Sequence, residues 1–206
     1  MTQNVVDNLF PIPVYISDGY KLNVKDKNNI IEDTMRNNYS NVNGNKASTN
    51  NYILDMPYLF HLKKYLLQQV NNYVYEVLSI VKSVEVYITQ SWININDTDT
   101  SHHPHSHPNS FISGTYYLQG DTPITFLHDN RNIFQNFLFD YSHENFYNQN
   151  RCNVKVQEGR CLLFPSMLNH YVEPNVNKEK RVSLSFNTFI KGTISNGNTK
   201  SLKIGD

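Results

Sequence analysis

The clearest hydrophobic pattern of the chain lies between residues 59 and 78, where apolar side chains recur at spacings of three and four. This spacing predicts an amphipathic helix whose apolar stripe packs on a sheet, while Lys63, Lys64 and Glu76 lie on the other face. Asp55 and Pro57 supply its start signal. The stripe consists of Leu59, Leu62, Leu66, Val70, Tyr73, Val74, Val77 and Leu78.

Before this helix the pattern is weak. Residues 17–56 are polar and rich in Asn, with a helical pattern only around Ile30, Ile31 and Met35. Residues 10–16 have the composition of a strand, but their two prolines cannot donate to a ladder, so we expect an edge strand at most.

From residue 84 the apolar side chains recur at every second position. One long strand is predicted, with Val84 and Val86 on the same face as Trp92 and Asn94. Turn signals separate further predicted strands at 111–119, 124–128, 137–141, 153–157, 160–164, 171–173 and 182–190. About eight short strands after one or two helices favour a mostly β (α+β) fold, a β-sandwich or jelly roll with the helices packed on one sheet.

Composition narrows the functional classes. The 206 residues carry 18 basic and 18 acidic side chains, so no basic field is available to hold nucleic acid or an anionic membrane by charge. No apolar run approaches the roughly 18 residues of a membrane span, and the N-terminus lacks a secretion signal. We therefore expect a cytoplasmic protein of one domain (1–206), with helical support and an edge strand in 1–83 and the β core in 84–190. Its two cysteines are expected to stay reduced.

The candidate chemistry begins with a histidine tract, since four of the eight histidines lie between residues 102 and 107. In an extended segment residues i and i+2 point to the same side, so His105 and His107 can offer two imidazoles to one cation. His170 can complete the set, and imidazole suits iron, zinc, copper and nickel. The tract is equally consistent with a solvated surface loop, and we expect His102 to be exposed.

Arg181 begins a second informative pattern. Val182, Leu184 and Phe186 alternate with Arg181, Ser183, Ser185 and Asn187, which gives one apolar and one polar face. If the polar face looks into a pocket, Arg181 can hold a carboxylate by two parallel hydrogen bonds, and Ser183 adds a third donor. The alternative is an edge arginine that faces solvent.

Several motifs are spread along the chain. They are Leu9-Phe10-Pro11-Ile12-Pro13-Val14-Tyr15, Ser91-Trp92-Ile93-Asn94, the stretch from His105-Ser106-His107-Pro108 to Thr115-Tyr116-Tyr117-Leu118, Phe164-Pro165-Ser166-Met167-Leu168-Asn169-His170, and Arg181-Val182-Ser183-Leu184-Ser185-Phe186-Asn187. Together, over essentially the whole chain, these motifs resemble the 2-oxoglutarate/Fe(II) oxygenases of phages and bacteria.

The resemblance implies a double-stranded β-helix, the cupin-like jelly roll of this superfamily. It implies that His105, His107 and His170 bind Fe(II), with His107 at the position where the superfamily pattern has a carboxylate. Arg181, Ser183 and Tyr117 would bind 2-oxoglutarate. The implied enzyme is a dioxygenase that consumes O2, releases succinate and CO2, and hydroxylates a small molecule or an amino-acid or peptide substrate.

Alternatives stay open at this stage. Asp97 or Asp99 could reach the metal in place of His107, or His103 could replace one ligand. Trp92 and Asn94 are candidates to line the cavity, although Trp92 is at least as well explained by core packing. The same jelly roll could be a cupin-like metal enzyme that does not use 2-oxoglutarate, or a binding module without catalysis.

Overall fold

A computed structural model describes residues 6–128, 137, 139–195 and 200–205. Over these residues the elements are, in chain order, β1 (Tyr15–Ile16), α1 (Val24–Arg36), β2 (Asn38–Ser40), β3 (Lys46–Ser48), two 3-10 turns (Ile53–Asp55 and Pro57–Leu59), α2 (Phe60–Asn71), a π-helical turn (Asn72–Val77), β4 (Val84–Asn96), β5 (His102–His105), β6 (Ile112–Gln119), β7 (Ile124–Leu127), β8 (Arg151–Val154), β9 (Cys161–Pro165), β10 (His170–Val172), β11 (Arg181–Ile194) and β12 (Leu202–Ile204).

The strands form two antiparallel sheets. The large sheet has the order β1-β9-β6-β11-β4-β3-β2, with β12 paired to β11, and the small sheet has the order β5-β10-β7-β8. The long strand β11 therefore lies between β6 and β4, with ladder partners on both sides. The predicted mostly β architecture with two helices is confirmed.

The predicted helix forms as α2 and the π-helical turn that follows it, and its apolar stripe is buried except at Val77, which is 49% exposed, and Leu78, which is half-buried. Leu62, Leu66 and Val70 on α2 share one core cluster with Ile93 on β4 and Leu184 on β11, so the helix covers one face of the large sheet. A second cluster on the opposite face joins the two sheets. It contains Tyr117, Ile124, Phe126, Val156, Leu162 and Phe164.

A β-bulge in β4 means that its two ends do not share one face, so the predicted common face of Val84, Val86, Trp92 and Asn94 was wrong. Asn187 on β11 pairs with Gln90, but Thr188 pairs with Ile88, so Thr89 is an extra residue in the ladder. An extra residue rotates the following side chains to the opposite face. Val84 and Val86 therefore lie on the helix side, whereas Trp92 and Asn94 do not share their face and line a pocket instead.

Other predicted elements differ in position. The weak pattern around Ile30 belongs to α1, which begins after the N-cap Asn23 and buries Ile30 at the core. Residues 137 and 139–141 lie outside any strand, contrary to prediction, and residue 138 and the predicted turn at 129–130 lie outside the described residues. No helix within the described ranges is long and apolar enough to cross a membrane.

Gly114 tests the packing of the large sheet. A methyl group at this position would stand 2.2 Å from Cζ of Phe186, which is fully buried on the neighbouring strand. We expect Gly114→Ala to lower the free energy of unfolding by about 1 to 3 kcal/mol, since overpacking a core has this magnitude. Urea denaturation measures it. Gly19→Ala is the matched control, because a Cβ at Gly19 meets no atom within 4 Å, and equal stability of the two variants would contradict the prediction.

Candidate metal and cosubstrate site

Three histidines converge where the small sheet meets its connecting loops. His105 ends β5 and His170 begins β10, and the two residues are paired across the ladder. His107 follows in the loop after β5, where its backbone N–H donates to the carbonyl of Ser166 at 2.8 Å. The strand pairing and this loop contact bring together the three residues that the sequence predicted.

The three rings form a compact triangle. One nitrogen of each of His105, His107 and His170 lies within 4.8 Å of the others. The ring centroids are 4.4 Å apart for His105 and His170, and 5.1 Å apart for the other two pairs. The Nε2 atoms of His107 and His170 are 3.3 Å apart.

Backbone carbonyls fix two of the rings. Nδ1 of His105 lies 2.8 Å from the carbonyl oxygen of His103, and Nδ1 of His170 lies 2.8 Å from that of Leu168. Because a carbonyl only accepts, each Nδ1 carries the proton, and the lone pair of each Nε2 is free for a metal. His107 makes a hydrogen bond to the side chain of Asn187.

Burial keeps these rings neutral. Burial, followed by the neighbouring His105, lowers the pKa of His170 to about 3 and the pKa of His107 to about 4. Burial also lowers the pKa of His105. Neutral imidazole is the form that ligates a metal, so at pH 7 the set is ready to bind a cation without losing protons.

Asp97 and Asp99, the alternative metal ligands, do not join the three histidines. The Asp97 carboxylate accepts from Lys46 Nζ at 2.7 Å and pairs with Lys180 Nζ at 3.2 Å, and the hydrogen bond from Lys46 lowers its pKa. Neither Asp97 nor Asp99 joins a potential metal-ligand group within the described part of the chain. The set present is therefore all-imidazole, a donor set suited to iron, nickel, copper and zinc.

The triangle opens on a pocket of about 390 Å³, a volume that includes its mouth. The ring of Trp92 lies 5.7 Å from that of His107. Asn94 is buried and donates through Nδ2 to Ser185 Oγ at 3.1 Å, while its Oδ1 has no hydrogen-bond partner among the described residues. The lining residues are Trp92, Asn94, His102, His105, His107, Gly114, Thr115, Ile124, Phe164, His170, Val172, Arg181, Ser183 and Ser185.

Arg181 lies in the same pocket and is only 3% exposed. Its guanidinium donates to Ser183 Oγ at 3.1 Å, to the Tyr117 hydroxyl at 3.3 Å and to the Thr122 carbonyl at 3.2 Å. A further contact reaches Asn96 Oδ1, and no described carboxylate forms an ion pair with Arg181. The solvent-facing alternative for Arg181 is therefore wrong.

A buried guanidinium without a described counter-ion is suited to holding an anion. A buried charge is costly unless it is paired, and each partner of Arg181 here is a neutral acceptor. Burial raises the pKa of Tyr117, so its hydroxyl stays protonated and can also donate. Arg181, Ser183 and Tyr117, which the sequence analysis singled out, thus form one cluster that suits a carboxylate.

His102 is a pocket residue that the sequence analysis missed, and the prediction that it is exposed was wrong. Its ring centroid lies 4.4 Å from that of His105, and burial lowers its pKa to about 3. His170 pairs with His105 and Val172 with His102, so β5 advances by three positions where β10 advances by two. This irregular register turns both histidines toward the pocket, whereas regular alternation would separate them.

Comparison with known proteins identifies the class. Residues 90–187, nearly half of the chain, match the model of a family described as "Putative 2OG-Fe(II) oxygenase". This stretch contains the three converging histidines, Arg181, Ser183 and Tyr117. No curated protein matches the sequence.

Solved structures agree on the fold. An oxidoreductase of the 2OG-Fe(II) oxygenase family from Burkholderia pseudomallei is 10% identical, with a TM-score of 0.55 over 85% of this chain and 84% of the other. HygX from Streptomyces hygroscopicus, with nickel, 2-oxoglutarate and hygromycin B bound, is 12% identical, with a TM-score of 0.57 over 86% and 82%. A prolyl hydroxylase in complex with a hypoxia inducible factor peptide fragment, from Trichoplax adhaerens, is 16% identical, with a TM-score of 0.52 over 85% and 83%.

The two-sheet architecture is thus the jelly roll of these enzymes. Residues 90–187 match the 2OG-Fe(II) oxygenase family, and this match supports the prediction of a 2-oxoglutarate- and Fe(II)-dependent oxygenase. The predicted fold is confirmed, and the family match agrees with the predicted enzyme class and cofactors. The origin in phages or bacteria stays a prediction.

The buried histidines make the stability of the metal-free protein depend on pH. The pKa of His170 is about 3 in the folded chain and about 6.5 when unfolded, so between these values the unfolded state binds more protons and stability falls as pH falls. Between pH 7 and pH 5 we expect His170 to contribute about 2 kcal/mol of this loss. Urea denaturation at both pH values should show a smaller loss for His170→Gln than for the wild type, and equal losses would contradict the prediction.

Proposed function

We propose that His105, His107 and His170 bind Fe(II), that Arg181, Ser183 and Tyr117 bind the far carboxylate of 2-oxoglutarate, and that the enzyme hydroxylates a small molecule or an amino-acid or peptide substrate. One observation carries this proposal. A buried guanidinium without a described counter-ion shares a pocket with three converging, neutral imidazoles.

The cosubstrate fits both ends of the pocket. A dicarboxylate can place one carboxylate on Arg181, where Ser183 and Tyr117 add hydroxyl donors, and its 2-oxo acid end at the histidines. Both ends carry negative charge, which offsets the buried guanidinium and the metal. The offset matters because an all-imidazole set leaves the full charge of the ion uncompensated, one unit more positive than a set with a carboxylate.

The residues of the chain orient and shield the reacting groups. When bound, Fe(II) and 2-oxoglutarate supply an oxidant from O2 that hydroxylates a C–H bond, and 2-oxoglutarate becomes succinate and CO2. His105 and His170 are held in position by backbone carbonyls, and His107 by Asn187. Such outer partners fix the tautomer and direction of a ligand, which tunes the metal.

Asn94 suggests the class of substrate. Its buried Oδ1 lacks a donor among the described residues, and ionised 2-oxoglutarate cannot supply one because it has only acceptors. An N–H or O–H group of the substrate can fill this role, as an amino acid, a peptide or a hydroxylated small molecule would. The peptide bound to the Trichoplax prolyl hydroxylase and the hygromycin B bound to HygX are examples of both kinds. The balanced charge argues against nucleic acid.

We also propose that residues 1–206 act as one domain. Residues before position 84 share a buried cluster with the strands after it, as Ile30 and Leu62 do with Ile93 and Leu184. The strand β3 also extends the large sheet by pairing with β4. A cytoplasmic location stays a prediction.

Release of succinate from 2-oxoglutarate tests the function directly. The protein, Fe(II) and O2 are screened against amino acids, peptides and hydroxylated metabolites, with mass spectrometry to detect a product heavier by one oxygen. We expect slow succinate formation without substrate and faster formation with a substrate. Complete absence of turnover with iron bound would contradict the proposal.

Arg181→Lys tests the cosubstrate cluster. Lysine keeps the charge but cannot donate two parallel hydrogen bonds, so we expect 2-oxoglutarate to bind about tenfold more weakly or worse, while Fe(II) affinity is unchanged. Anaerobic titration of the Fe(II) protein with 2-oxoglutarate measures this through the charge-transfer band. Arg36→Lys is the matched control, because Arg36 is exposed on α1. Unchanged binding in Arg181→Lys would contradict the role of Arg181, whereas no charge-transfer band in the unaltered protein would favour the cupin-like enzyme that does not use 2-oxoglutarate.

Substitutions at His107 test the third ligand. We expect His107→Ala to bind Fe(II) about tenfold more weakly or worse, since one of three ligands is lost, and His107→Asp to recover binding through a carboxylate. Equilibrium dialysis under anaerobic conditions gives the affinities. Asp97→Asn should leave Fe(II) affinity unchanged because Asp97 pairs with lysines instead. Full affinity in His107→Ala would remove His107 from the ligand set.

A further inference from the structure

A second group of three histidines shares His105 with the proposed iron site. His102, His103 and His105 each offer one nitrogen, and these atoms also lie within 4.8 Å of one another. Their ring centroids are 4.4, 5.1 and 5.4 Å apart, close to the 4.4 and 5.1 Å of the first group. We call His105, His107 and His170 the inner set, and His102, His103 and His105 the outer set.

The outer set lies nearer to solvent. All its members come from β5, an edge strand of the small sheet, and His103 is exposed. In the inner set, His170 is only 5% exposed and its ring packs edge-on against Phe164. A cation that enters from solvent therefore reaches the outer set first.

The two sets cannot both be complete. Nδ1 of His105 is held by the carbonyl of His103 at 2.8 Å and carries the proton. Only Nε2 of His105 keeps a lone pair, and one lone pair ligates one ion. Filling one set therefore leaves the other with two histidines.

We propose that the outer set is a second binding site for a divalent transition metal, and that it competes with the inner set for His105. The competition rests on the proposed role of the inner set, whereas the outer site stands on its own geometry. Imidazole sites bind Ni(II), Cu(II) and Zn(II) more tightly than Fe(II) in the usual order of affinities. An ion held by the outer set would occupy His105 and would therefore hinder loading of iron into the inner set.

A mutant cycle with cobalt tests the outer site. Co(II) is titrated anaerobically into the metal-free full chain without 2-oxoglutarate, and its visible absorption reports affinity, stoichiometry and ligand field. The variants are His103→Ala, His107→Ala and the double variant. His107→Gln replaces His107→Ala if circular dichroism shows that the latter is unfolded.

Coupling between the two substitutions is the expected result. The wild type should bind one ion, and His103→Ala alone should change its affinity by less than about twofold, because the inner set remains. In the His107→Ala background one ion should still bind, and adding His103→Ala should weaken it by about tenfold or more. An equally small effect of His103→Ala in both backgrounds would overturn the outer site, and two tightly bound ions in the wild type would overturn the sharing of His105.

An exposed histidine elsewhere provides the control. His61 lies exposed on α2, outside both sets, so His61→Ala in the His107→Ala background should leave cobalt affinity unchanged. A loss equal to that of His103→Ala would mean adventitious imidazole binding and overturn the proposal. Succinate release reports separately on the proposed function, so cobalt coupling without any turnover would reject the oxygenase role while the outer site stands.

Discussion

The buried charge of Arg181 is the constraint on which the pocket depends. Its guanidinium is enclosed by neutral acceptors from β6, β11 and the Thr122 segment, and the described residues provide no anion for it. The alternation of β11 makes this arrangement possible, because the neighbouring Val182 and Leu184 are buried in the helix-side core. A slip of one residue would move the apolar side chains into the pocket and the arginine into the core, so one interaction fixes both faces of the sheet.

Two irregularities in the strands complete the pocket. The bulge at Thr89 lets β4 contribute valines to the core at one end and Trp92 and Asn94 to the pocket at the other. The uneven register of β5 turns both His102 and His105 inward. Bulges that redirect side chains are common beside active sites, and here they gather polar groups on a sheet whose other face is apolar.

Periodicity predicted the parts of the fold that are regular. The stripe of α2 and the alternation of β11 were readable because each depends on one continuous element. The convergence of His105 and His107 was predicted from their spacing, although His107 lies in the loop after β5, where its backbone contact with Ser166 positions it. The face of β4 on which Trp92 lies and the burial of His102 could not be predicted. In both strands a single extra residue reverses the alternation, and such a residue leaves no clear mark in the composition. The burial of Arg181 depends on long-range pairing of β11 with β4 and β6, so the sequence left it as one of two alternatives.

The central position of β11 also joins the two ends of the pocket. Arg181 begins this strand, and Asn187, six residues further along it, is hydrogen-bonded to His107. β4 and β6 pair with β11 on its two sides between these residues, so both belong to one element that is held along both edges. A displacement of β11 would therefore move the arginine and the support of a histidine together, which couples the two ends of the pocket mechanically.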